Sequence, residues 1–142
     1  MLKIYSLDVN DKDFALPIFT SRIPAGFPSP ADDHKEDVLG LNAFLVKNPL
    51  STFLAKTEGD SMKNIGIFDG DILVIDRSIE PADNHIIIGV VNGEFTVKRV
   101  KKRNQQLFLV PENEQYAEIE ITEFTDFRIW GVVTFVIHKV LH

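Results

Sequence analysis

Residues 58–74 read Glu-Gly-Asp-Ser-Met-Lys-Asn-Ile-Gly-Ile-Phe-Asp-Gly-Asp-Ile-Leu-Val. A serine placed just after a glycine turn can project its hydroxyl from a strand end, with neighbouring backbone N–H groups free to bind an oxyanion. Ser61 is therefore a candidate nucleophile, although a Gly-Asp-Ser turn taken alone is more often structural. A nucleophilic serine needs a base. His34 lies in a polar run, His85 begins a strand, and His138 and His142 sit at the C-terminus. No Ser-His-Asp signature accompanies them. Lys98, in the run Glu94-Phe95-Thr96-Val97-Lys98-Arg99-Val100, lies near the hairpin end of a strand, and its ordinary reading is a solvent-facing lysine. Asp60, Asp69 and Asp71 lack the ligand spacing and terminal Glu of an EF-hand calcium loop. No metal and no cofactor is expected.

The elements that must position these groups read as strands from Ser51 onward. Candidates are Thr52–Thr57, Asp71–Asp76, Ile86–Val91, Glu94–Val100, Leu107–Val110, Ile119–Ile121 and Phe127–Lys139. Asn92-Gly93 between two of these runs is a strong hairpin signal, because a type I′ turn needs positive φ at both positions. Leu41, Phe44 and Leu45 stand at helical spacing and predict a short helix ending before Pro49. Several short strands at close spacing predict an all-β, mostly antiparallel domain. Phe127–Lys139 is apolar on both faces: Phe127, Ile129, Val133, Phe135 and Ile137 on one, Trp130, Val132 and Val136 on the other. Such a strand is covered twice, either by the domain's own core or by a second subunit.

At 142 residues the chain suits one domain with a core plus a short arm. Hydrophobic residues at 44% and charged residues at 25% are those of a globular protein. Fifteen Lys and Arg against twenty-one Asp and Glu leave a net charge of −6, which argues against gripping a nucleic-acid backbone as the main activity. The absence of cysteine excludes disulfides, thiol nucleophiles and cysteine metal sites. No apolar run approaches the roughly 20 residues of a membrane span. Asp8, Asp11 and Asp13 stand where a signal peptide would be apolar, so a cytoplasmic protein is expected. Residues 23–30, Ile-Pro-Ala-Gly-Phe-Pro-Ser-Pro, should be extended and exposed, because proline fixes φ and pushes the preceding residue toward β or polyproline geometry. That stretch reads as a hinge or, more sharply, as a protease substrate, since proteases bind extended chains as an added strand. It divides a flexible arm, residues 1–30, from a β-rich domain, residues 31–142.

Taken together, Gly59-Asp60-Ser61-Met62, Gly66-Ile67, Asp69-Gly70-Asp71 and Gly93-Glu94-Phe95-Thr96-Val97-Lys98-Arg99 resemble the LexA/UmuD type of self-cleaving serine–lysine peptidases. The resemblance runs from about residue 14 to the C-terminus. Ala25-Gly26-Phe27-Pro28-Ser29-Pro30 looks like the cleavage region of the UmuD branch. The likeness implies a compact LexA-like C-terminal peptidase fold. Within it Ser61 would be the nucleophile, Lys98 the general base, and the backbone N–H groups of Asp60 and Ser61 the oxyanion site. Ala25–Gly26 would be the bond cut. One departure is Asn84-His85, where many relatives have Gly-Asp, a change in a turn rather than in a catalytic group.

The likeness also implies a role. The chain would cut itself once after DNA damage, on meeting a RecA filament on single-stranded DNA. Its shortened homodimer would then serve a UmuC-type translesion DNA polymerase as accessory subunit. Only 25 residues precede the bond, too few for the helix-turn-helix of a LexA-like or phage-type regulator, so no sequence-specific DNA binding is expected. A general serine–lysine peptidase acting in trans is the other enzymatic alternative. Lys98-Arg99-Val100-Lys101-Lys102-Arg103 suggests a nucleic-acid module, but no interleaved aromatic platform accompanies it. A free lysine has a pKa of about 10.4, leaving about one in 2,500 neutral at pH 7. Bringing it near 7 costs about 4.6 kcal/mol, at about 1.36 kcal/mol per unit. Burial supplies that cost, and docking of residues 23–30 over Lys98 is expected to contribute.

Overall fold

A computed structural model describes residues 3–7, 15–19 and 36–141. The stretch 23–30 with Ala25 and Gly26, together with His34 and His142, lies outside the described residues. The chain divides into two compact units. The smaller holds an antiparallel ribbon of β2 (Ala15–Phe19) and β3 (Glu36–Gly40), paired from Ala15 opposite Gly40 to Phe19 opposite Glu36. The helix α1 (Leu41–Leu45) follows β3 directly, as the helical spacing predicts.

The larger unit is one eight-stranded antiparallel sheet: β1 (Lys3–Ser6), β4 (Thr52–Lys56), β5 (Ile72–Asp76), β6 (Ile86–Val91), β7 (Glu94–Arg103), β8 (Gln106–Val110), β9 (Ile119–Ile121) and β10 (Phe127–Ile137). Their order across the sheet is β1-β4-β5-β10-β6-β7-β8-β9. The fold is thus all-β. Its middle is built from near-continuous β-branched runs, Ile72-Leu73-Val74-Ile75 and Ile86-Ile87-Ile88, which suit strands buried on both faces. Ile87 and Ile88 are adjacent on β6 and so point to opposite faces. Ile88 joins Ala55, Leu73, Ile75 and Val97 in one core cluster, and Ile87 joins Val100, Leu109 and Val132 in the other.

Three strands fall outside the expected set: β1, β2 and β3. Each is short; β1 and β3 are mixed in composition and β2 carries Pro17 at its centre, so no run of β-branched residues announces them. β7 runs three residues past its expected end because Asn104 and Gln105 both take positive φ, 51° and 67°, closing a second two-residue hairpin without a glycine. Asn92 and Gly93 make the expected turn, at φ of 49° and 83°.

β10 corrects a face assignment. Its pairing slips between Ile129 and Gly131 against β6, and between Val133 and Phe135 against β5. Each extra residue reverses the alternation beyond it. Phe127 and Ile129 therefore pack with Val132, while Trp130 packs with Val133 and Val136 in the opposite cluster. Gly131 sits at the first slip, where an added Cβ would lie 2.5 Å from Ile75 Cγ2. Most of the double coverage thus comes from the chain's own core, and the strand's pattern gives no separate argument for a second subunit.

Candidate active site

The segment between β4 and β5 is folded back on itself before it reaches Ser61. The Thr57 N–H donates to the Asp71 carbonyl at 2.8 Å and the Gly70 N–H to the Thr57 carbonyl at 2.9 Å. The Asp71 carboxylate accepts the Phe68 N–H at 2.8 Å, and its other oxygen meets the His138 ring. Gly59 takes a φ of +90° and donates its N–H to Asp69 Oδ1 at 2.8 Å. Met62 and Ile67, both buried, anchor the loop in the core on either side of the exposed Asn64–Gly66. Asp69 and Asp71, which in the sequence hint at a cation loop, are fasteners of this turn.

Lys98 arrives from β7, opposite Ile87 of β6 and beside Thr96 on its own strand face. It is 9% exposed. Its Nζ lies 3.3 Å from Ser61 Oγ, 2.8 Å from Thr96 Oγ1 and 3.0 Å from the Val97 carbonyl oxygen. All three partners are neutral, and no carboxylate pairs with Lys98 among the described residues. Burial without a counter-charge pushes its pKa below the ordinary 10.5. The solvent-facing reading of this lysine does not hold.

The two described histidines are placed elsewhere. His85 Nδ1 accepts the Ala82 N–H, and His138 is held by Asp71 with its ring against Phe68 at 5.3 Å. The departure at Asn84-His85 is absorbed locally. Asn84 adopts a φ of 73°, a conformation asparagine tolerates better than most residues, and its N–H bonds the Val100 carbonyl.

Lys98 opens into two adjoining hollows, and Ser61 lines the smaller of them. One of about 210 Å³ is lined by Thr57, Gly59, Ser61, Met62 and Ile67; the other, of about 530 Å³, by Val91, Glu94, Tyr116, Ala117 and Ile119. Phe95, Thr96 and Lys98 line both. Lys98 therefore stands where the two hollows adjoin, with Ser61 on the wall of the smaller one.

With this arrangement in place, the comparisons decide the family. A model described as Peptidase S24-like matches residues 17–134. The chain belongs to that family. Among relatives of this S24-like chain, Protein SamA of Salmonella typhimurium is 44% identical over 123 residues, 87% of this chain and 85% of that protein. Protein ImpA of Escherichia coli is 40% identical over 129 residues, 91% of this chain and 88% of its own. A LexA repressor of Shewanella halifaxensis is 35% identical over 120 residues, 84% of this chain and 57% of the repressor. The LexA/UmuD resemblance read from the motifs therefore stands.

Sequence reasoning missed the residues that hold the serine turn from the β8–β9 side. Asn113, 2% exposed, donates from Nδ2 to the Asp60 carbonyl at 2.9 Å. The Tyr116 hydroxyl donates to Asp60 Oδ1 at 2.8 Å, and the Asn64 N–H donates to the Glu112 carbonyl at 2.9 Å. Their run, Pro111-Glu112-Asn113-Glu114-Gln115-Tyr116, reads as a polar loop, and nothing in its composition signals a buried asparagine.

Proposed function

We propose that this S24-like chain is a self-cleaving serine endopeptidase that cuts its own Ala25–Gly26 bond. The observation that carries the reading is the 3.3 Å approach to the Ser61 hydroxyl of a buried Lys98 amine that pairs with no carboxylate among the described residues. A lysine whose charge is disfavoured can accept the Ser61 proton, and Ser61 Oγ can then attack the Ala25 carbonyl carbon. The same proton passes to the Gly26 nitrogen as the peptide bond breaks. An ester between Ser61 and Ala25 remains, which water hydrolyses. The N–H groups of Asp60 and Ser61 would receive the oxyanion of each tetrahedral intermediate. Holding the substrate on the same chain supplies a high effective concentration, which favours self-cleavage over action in trans.

The wider role follows the family resemblance. The cut, stimulated by a RecA filament on single-stranded DNA, converts the chain into a homodimeric accessory subunit of a UmuC-type translesion polymerase in the cytoplasm. The basic run on β7 does not favour a nucleic-acid module, because Arg99 pairs with Glu112, Arg103 with Glu118, and Lys101 bonds Asn84. The test is intact-mass measurement after incubation at rising pH. A fragment of residues 26–142 should appear, with a rate that climbs as Lys98 loses its proton and levels off below pH 10.5. Lys98→Ala should lower the rate about 10²–10⁴-fold, and Ser61→Ala should abolish it with the fold intact. A pH-independent rate, or cleavage in Ser61→Ala, overturns the dyad. Mixing active protein with Ser61→Ala separates cis from trans cutting.

A further inference from the structure

We infer that Asn113, supported by Tyr116, is a positioning residue that aims the Ser61 N–H at the oxyanion site; the inference rests on the serine–lysine reading above. A trans peptide is planar, so the carbonyl of one residue and the N–H of the next point in opposite directions. The direction of the Asp60 carbonyl therefore dictates that of the Ser61 N–H. Two donors fix that carbonyl: Asn113 Nδ2 at 2.9 Å and the Lys63 N–H at 3.2 Å.

The Asn113 amide has its orientation fixed in turn. Its Oδ1 accepts the Gln115 N–H at 3.0 Å, so the donor end must face Asp60. Burial to 2% exposure keeps water from replacing either bond. On the exposed side, Tyr116 ties the Asp60 carboxylate at 2.8 Å. The hydrogen bond to Asp60, with the carboxylate's charge, raises the Tyr116 pKa above its ordinary 10.0, so the tie persists to higher pH than it would with a free tyrosine. Preorganised donors aimed at developing charge are a large term in acyl transfer, and misdirecting one costs about 10²–10³-fold in rate.

The experiment is the pH–rate profile of self-cleavage in full-length Asn113→Asp, which keeps the shape and the Oδ1 acceptor but replaces the donor with an acceptor. The expected result is a plateau rate about 10²-fold lower, with the midpoint that reports Lys98 unmoved and the thermal unfolding still cooperative. A wild-type plateau, or a shifted midpoint that places Asn113 in the tuning of Lys98, overturns the inference. If Asn113→Asp fails to fold, Tyr116→Phe carries the same test from the exposed side: a several-fold lower plateau at unchanged midpoint supports it, and a wild-type plateau refutes it. Ser61→Ala run in parallel keeps the two readings apart. Cleavage there sinks the dyad itself, whereas an inert Ser61→Ala beside a fully active Asn113→Asp sinks only the positioning role.

Discussion

Asp76 and Lys98 are both buried charged side chains on strands of this sheet, and their surroundings treat them in opposite ways. Asp76, at the end of β5, is 4% exposed. Its carboxylate accepts from Asn48 Nδ2, Ser51 Oγ, the Ser78 N–H and Ser78 Oγ at 2.7–2.9 Å. Burial is the largest influence and raises its pKa, but the hydrogen bonds together outweigh it and hold the carboxyl below the ordinary 3.8. Lys98 is also buried, no opposite charge pairs with it among the described residues, and its neutral partners Ser61, Thr96 and Val97 do not outweigh the desolvation of its ammonium. The same physical cost is compensated at one site and left standing at the other. Asp76 is a structural staple between Asn48, Ser51 and Ser78; Lys98, the proposed base, is an amine whose charged form burial disfavours.

The largest effect that sharpens this contrast is on stability. Asp76→Ala should destabilise the fold by about 2–3 kcal/mol, because it strands the donors of Asn48, Ser51 and Ser78 around a small void. Urea unfolding at pH 7 measures it, and a change under about 0.5 kcal/mol would show that water replaces the carboxylate without loss. Lys98→Met should act the other way at neutral pH. A folded-state lysine pKa below the unfolded value means the unfolded chain binds more protons between the two, so wild-type stability rises with pH across that window. Methionine removes the group and with it the rise, leaving the variant the more stable at pH 7 and the two similar above pH 10.5. A wild-type curve parallel to that of Lys98→Met between pH 7 and 10.5 would contradict the buried-amine account.

The contrast also explains what could be read from the sequence. Ser61 and Lys98 were legible because two short motifs carry them in a recognisable order. The strands of β5, β6 and β10 were legible because β-branched runs are long there. Asp76 and Asn113 were not, since a polar residue at a strand end or in a turn looks the same whether water or protein satisfies it. Only the fold brings Asn48, Ser51 and Ser78 to one carboxylate, or Asn113 to the Asp60 carbonyl, 53 positions away. The faces of β10 were misread for a related reason. Alternation is a local rule, and the two slips that break it are set by pairing with β5 and β6, strands distant in sequence.

The smallest of the expected effects lies at acid pH, where the two buried groups separate cleanly. Lys98 is the same in the wild type and in Asp76→Asn, so whatever slope the amine adds cancels from their comparison. Asp76 has a folded pKa below its unfolded value, so its contribution is complete above about pH 4 and drains away as pH falls through the lowered folded value. Glu114 and Glu118 are depressed too, by bonds to Asn64 and Arg103, and they add slope in the same direction. The comparison must therefore be a difference. Asp76→Asn keeps the volume and one acceptor but does not titrate, and it leaves Glu114 and Glu118 as they are. Its unfolding midpoint in urea, followed from pH 5 to pH 2.5, should fall less steeply than that of the wild type below about pH 4, with the curves parallel above. Parallel curves throughout would mean that the four hydrogen bonds hold the acid as well as they hold the carboxylate. Asp76 would then no longer be the compensated counterpart of Lys98.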